Sequence, residues 1–288
     1  MKKVFIVLLM AAGTLTGYAQ EDTTIRKTEI PEESDTIRVG GIIIIKKKGE
    51  GADGEYKVTP ESKSYHRNRY KRDNITTNWL VMDIGYSGYD DKTNYASSEA
   101  QDFLKFQQGN PATKGDYSIK GARISNFNLW FFMQRVNLYK HVVNLKYGFG
   151  IETNNYYYKT PITYVDGANP YTFRDSVSFS KNKIATDFFT APIMININTN
   201  PRARYGGFQI SFGVSAGYMY SARQKQESDE RGKQKQKTDF NLENWKVAYV
   251  AELGLGPVRF YGSYSMTPLH EYGLEQMPYN VGIRFSSW

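Results

Sequence analysis

The chain has 288 residues and no cysteine, which excludes a disulfide framework, a thiolate metal site and a lipid-accepting cysteine. A formal net charge of +8 at pH 7 is modest for this length, so nucleic acid is not an expected partner and anionic lipid headgroups are the better match for the excess. After the first twenty residues no apolar run approaches the roughly eighteen a membrane helix needs, while 23 tyrosines, 16 phenylalanines and 25 glycines suit strands with aromatic girdles.

Residues 1–19 read as a secretory signal peptide, with Lys2 and Lys3 at the start, an apolar core from Val4 to Ala12 and Gly17-Tyr18-Ala19 as a small-x-small cleavage site. Residues 20–77 read as a mostly extended, partly disordered periplasmic segment. One apolar island interrupts it: Thr36 to Val39, then Gly40-Gly41 and Ile42 to Ile45, which predicts a short strand or hairpin able to pair with a partner's sheet edge. Lys46 to Lys48 follow as gatekeepers against aggregation. The basic knot Arg67, Arg69, Lys71 and Arg72 is either a solvated linker or a contact to inner-leaflet lipid headgroups.

Residues 78–288 predict an all-β domain, an eight-stranded antiparallel up-and-down transmembrane β-barrel. Strand one, about Asn78 to Tyr86, turns Leu80, Met82, Ile84 and Tyr86 to one face and Asp83, Gly85 and Ser87 to the other. Strand two, Ala122 to Gln134, places Phe127, Leu129, Phe131 and Met133 outward, and strand three does the same with Val143, Leu145, Tyr147, Phe149 and Ile151. Strand four, roughly Ile184 to Asn196, contains Pro192 and an ill-placed Asp187, so a bulge is expected near Phe188 to Pro192. Strand five alternates Phe208, Ile210, Phe212, Val214, Ala216 and Tyr218 with small or polar residues, and a hydrophilic loop follows from Ser221 to Asn241. Strands six and seven meet at Gly256-Pro257, and strand eight begins near Tyr279. Long connections fall after strands one, three, five and seven and short ones after two, four and six, as in single-chain outer-membrane barrels.

An eight-stranded barrel is filled by its own side chains. The predicted inward charges are Asp83, Glu152 and Glu252 with Lys146, Lys246, Arg259 and Arg284. They form either a salt-bridge network that plugs the lumen or the lining of a narrow gated pore. Catalysis has one thin candidate constellation, His270 and Glu271 with Ser263 or Ser265. No nucleophile motif surrounds it, and an enzyme, a metal site and a cofactor are not expected.

The segment Asn78-Trp79-Leu80-Val81-Met82-Asp83-Ile84-Gly85 resembles the first strand of a PorT-like family of outer-membrane β-barrels. Similar to that pattern are Asn137-Leu138-Tyr139-Lys140, Leu145 to Glu152, Asn154-Asn155-Tyr156, the Pro192 strand and Gly282-Ile283-Arg284-Phe285, and the lead-in Asp35 to Gly40 fits too. The resemblance implies an uncharacterised outer-membrane barrel and, through members that serve a gliding-associated secretion apparatus, admits a secretion-associated role. The expected function is a membrane-anchored binding or scaffold protein of a Gram-negative envelope, with a pore or transport component as the alternative and a lipid-modifying enzyme behind both. The expected partners are outer-membrane lipid and lipopolysaccharide and a periplasmic or envelope protein; a monomeric barrel is expected.

Overall fold

A computed structural model describes residues 35–39, 42–46, 57–60, 73–105, 111–121, 123–167, 169–201, 207–238, 240–255 and 258–286. The expected signal peptide, the basic knot Arg67, Arg69, Lys71 and Arg72, and the Gly256-Pro257 turn lie outside these residues. The chain divides into two units, Met1–Tyr70 and Lys71–Trp288.

In the first unit, β1 (Asp35–Val39), β2 (Ile42–Lys46) and β3 (Lys57–Pro60) form an antiparallel sheet in that order. Val39 and Ile42 are Cα partners, which makes β1 and β2 the predicted hairpin. The short β3, bounded by Pro60, is an addition to it.

The second unit contains β4 (Ile75–Asp91), α1 (Ser98–Phe103), β5 (Asn126–Tyr139), β6 (Val143–Tyr157), β7 (Ile162–Val165), β8 (Tyr171–Arg174), β9 (Lys181–Asn198), β10 (Phe208–Ser228), β11 (Gly232–Gln236), β12 (Trp245–Leu255), β13 (Val258–Ser265) and β14 (Gln276–Phe285). Eight of them close a ring in the order β4-β5-β6-β9-β10-β12-β13-β14, with β14 returning to β4, and every neighbouring pair is antiparallel. The ring leaves no open sheet edge, which is what allows strands to stand in hydrocarbon.

Period-two alternation sorts the side chains. Ile193, Phe212, Val214, Val281 and Ile283 are exposed on the outer surface, where water would penalise them and lipid does not. Aromatic residues flank this band. Trp79, Phe132, Phe260 and Phe285 lie toward the short turns; Phe189, Tyr218, Tyr220, Trp245 and Tyr264 lie toward the long loops. The closed ring and its apolar belt make this unit an outer-membrane β-barrel.

Three details depart from the sequence reading. Met133 is buried inside the barrel rather than turned outward. A register shift between Trp130 and Phe132 inserts one extra residue into β5, and everything beyond it changes face. The bulge expected within the Pro192 strand sits instead on its neighbour, between Met219 and Ser221 of β10, opposite Phe188 and Asp187. Pro192 itself lies where β6 and β9 register no partners, between the Tyr147–Ile193 and Gly150–Thr190 pairs, so its missing N–H interrupts nothing. Finally, the segment taken as a hydrophilic loop from Ser221 is strand: β10 runs on to Ser228 and turns back through β11 as a hairpin arm.

At the closure seam Gly85 and Gly282 are Cα partners, and Tyr261 lies across them. A Cβ on Gly85 would come within 2.6 Å of the Tyr261 hydroxyl, so the missing side chains make room for the ring.

Candidate functional site

Two regions concentrate buried polar chemistry: the lumen and the loop end. In the lumen, all seven predicted charges are buried, Asp83 completely. Arg284 grips Asp83 with both faces of its fork, Nε to Oδ1 at 2.7 Å and Nη2 to Oδ2 at 2.7 Å. Oδ2 of Asp83 also accepts from Asn128 Nδ2 at 3.0 Å and from the Trp130 indole at 2.7 Å. The third guanidinium nitrogen of Arg284 donates to Glu252, which accepts from Lys146 as well. The Arg284 guanidinium also stands 5.2 Å from the Trp130 ring and 5.6 Å from that of Tyr261. Four charges therefore cancel in one cluster held by five strands.

A second cluster sits closer to the loops. Lys246 donates to Glu152, whose oxygens also accept from Asn280 at 2.9 Å, Asn154 at 3.1 Å and Thr190 at 3.3 Å. Asn126 bonds Asn154 at 2.8 Å and Asn128 at 3.0 Å, so the two clusters form one connected network. Arg259 departs from the predicted role. Its register partner is Arg284, its Nη1 donates to Gln209 at 3.3 Å, and no carboxylate among the described residues pairs with it. The space left among Trp130, Glu152, Met194, Glu252 and Arg284 is about 30 Å³, room for one or two water molecules. Below the charges, Val81, Trp130, Met133 and Met194 pack together and complete the plug.

The loop end is a folded cap. Phe103 of α1, Tyr117, Tyr158, Tyr164, Phe240, Leu242, Leu269 and Leu274 share one buried cluster with Ile184, Phe188 and Met219 of the barrel strands. Ser97 caps α1 by accepting from Ala100 N at 3.2 Å. Asp116 and Asp175 tether the β7–β8 hairpin: Arg174 reaches Asp116 at 2.5 Å, and Arg231, from the tip of the arm, reaches Asp175 at 2.7 Å. Sequence reasoning missed this core because its apolar residues come singly from several polar connections and follow no period.

His270 belongs to the cap interior. Its Nε2 lies 3.1 Å from the Tyr164 hydroxyl, the two rings stack at 5.8 Å, and burial pushes its pKa down to about 3. Ser265 is engaged elsewhere, donating to the Thr267 carbonyl at 2.7 Å, Ser263 accepts from Asn280, and Glu271 is exposed. The candidate constellation is thus not assembled. Among the described residues no cluster of His, Asp and Glu could hold a metal ion.

No family model matches the sequence, and no curated protein is similar to it. Among solved structures the chain is similar to Ail, the attachment invasion locus protein of Yersinia pestis, determined in complex with the heparin analogue sucrose octasulfate. The identity is 12%, the match covers 73% of this chain and 98% of that one, and the TM-score is 0.27. By its own geometry the second unit is an eight-stranded outer-membrane β-barrel with a lumen filled by paired charges and a folded cap at its loop end.

Proposed function

We propose that this protein is a membrane-anchored binding or scaffold protein of the cell envelope, with its short turns toward the periplasm and its cap outside. One observation carries the reading: the lumen is closed by paired charges around about 30 Å³ of space, while the long loops fold into a core of their own. A barrel built this way offers surfaces rather than a path. Outer-membrane lipid, lipopolysaccharide and a protein bound at the cap or along the edges of the β1–β3 sheet are the partners this reading favours. The resemblance to the PorT-like family agrees with it, and the engagement of His270 by Tyr164 supports a non-enzymatic role.

The test is single-channel recording of the purified protein in planar bilayers, alongside crosslinking from cap positions in intact envelopes. The expected result is no steady conductance and specific crosslinks. Steady conductance that changes in Glu252→Gln or Arg284→Gln would overturn the reading in favour of a pore.

A further inference from the structure

The outer face of the hairpin arm carries a row of cations. Beyond the bulge at Tyr220 the side chains of Arg223, Lys225 and Glu227 continue the exterior face of β10, while Ala222, Gln224 and Gln226 are buried against the cap. Lys225 is the Cα partner of Lys183 on β9 and of Lys235 on β11, so three lysines stand side by side across three strands. Like charges directly opposite one another destabilise a sheet.

The adjoining rows are arranged differently. Glu227 stands between Lys181 and Lys233 and lies 3.5 Å from the Lys233 ammonium. Arg223 pairs with Asp187 at 2.5 and 3.1 Å, which also accounts for the acid that disturbed the outward pattern of β9. The middle row has no such acid. Among the described residues neither Lys225 nor Lys235 has an ion-pair or hydrogen-bond partner. Lys183 is nine-tenths buried, donating to Asn155 Oδ1 at 2.5 Å and to the Tyr157 hydroxyl at 3.3 Å. The Tyr157 ring also carries Arg123 at 5.1 Å, which extends the row by a fourth cation.

Position selects the ligand. Phe189 and Tyr220 stack at 4.4 Å in the aromatic belt that borders the hydrocarbon. Lys183 lies further along β9 on the same exterior face, about 20 Å along the strand and roughly 14 Å in height at the usual barrel tilt. The row therefore overhangs the bilayer instead of facing upward from the cap. We propose that it binds the phosphate groups on the saccharide headgroups of the outer-leaflet lipid surrounding the barrel. This inference rests on the orientation given under Proposed function, with the cap outside.

The experiment measures binding of purified lipopolysaccharide to the full chain in detergent, with enzymatically dephosphorylated lipopolysaccharide and heparin as separate arms. The double variant Lys225→Gln/Lys235→Gln is compared with the wild type. Removing each lysine is expected to weaken binding about fivefold, and the pair roughly thirtyfold. Dephosphorylated lipid is expected to bind weakly to both proteins. Without ligand, the double variant is expected to melt at the same temperature as the wild type or higher, because the repulsion is gone. Equal affinity of the two proteins for lipopolysaccharide, or heparin binding without lipopolysaccharide binding, would overturn the proposal. So would a lower ligand-free melting temperature with unchanged affinity, which would make the row structural. Channel conductance would sink the scaffold reading and leave this affinity measurement standing on its own.

Discussion

Asp83 ties the first ring strand to both of its neighbours. It accepts four hydrogen bonds at 2.7 to 3.0 Å from three residues on β5 and β14, with no exposure to solvent. Asp83→Ala leaves Arg284 with only Glu252 in a low-dielectric interior. The expected loss is about 3–5 kcal/mol of unfolding free energy, measured by urea titration in micelles. Adding Arg284→Met to the same chain is expected to recover part of that loss, and a purely additive double-mutant cycle would refute the coupling. His270 makes a pH-dependent contribution of the opposite kind. The buried imidazole takes a proton near pH 3, the exposed one near 6.5. Between these values the unfolded cap binds more protons, so cap stability is complete above about pH 6.5 and falls as pH drops toward 3. The loss is expected to reach about 3 kcal/mol near pH 4.5. His270→Phe is expected to flatten this dependence, read by melting curves at pH 7 and 4.5; equal slopes in both proteins would contradict it. At this scale the sequence was informative where period two applied: the lumen charges were readable because their strand neighbours are apolar. It offered His270 only as part of a thin catalytic constellation, because a lone histidine on no periodic face gives no sign of the cap interior that holds it, and it misplaced Met133 because one inserted residue leaves no compositional mark.

The strands β4, β9 and β10 have 17, 18 and 21 residues, well beyond the roughly 9–11 that cross a bilayer. Their surplus lengths are the walls of the cap, and α1, β7 and β8 fill the space between them. The bulge at Tyr220 decides which face of β10 meets that core. With it, Gln224 donates to the Ile162 carbonyl at 3.0 Å and Gln226 to Thr163 at 2.8 Å, while Lys225 faces out. Deleting Tyr220 is expected to invert the alternation of residues 221–228, turning Lys225 inward and Gln224 outward. Limited proteolysis with mass spectrometry should then find rapid cleavage between residues 223 and 237, while the rest of the barrel keeps its heat-modifiable migration. An arm as resistant as in the wild type would show that the bulge has no such part. Strand number and loop asymmetry were legible in the sequence because alternation survives over ten residues. The cap was not, since polar composition is what its exterior requires and its interior is contributed a residue or two at a time.

For the molecule as a whole, closure and filling come together. The wild-type barrel is expected to hold bilayer current at baseline, and Trp130→Ala combined with Arg284→Ala, which empties the largest side chains around the lumen space, is expected to admit small ions. Silent recordings from that variant would mean the cap alone is a sufficient seal. The pairing of Arg284 with Asp83 spans 201 positions of the chain, from the first ring strand to the last. Arg284 can also pair with Glu252, but among the described residues Asp83 has no other ion-pair partner and is not neutralised until those two strands meet. A chain whose last strand has not yet arrived holds the Asp83 carboxylate with only the neutral donors of β5 and no cation, so every incompletely zipped form is disfavoured in proportion to how much water it has already shed. The same ion pair that plugs the finished barrel thus acts as a latch during assembly, rewarding the final zipping step and none before it.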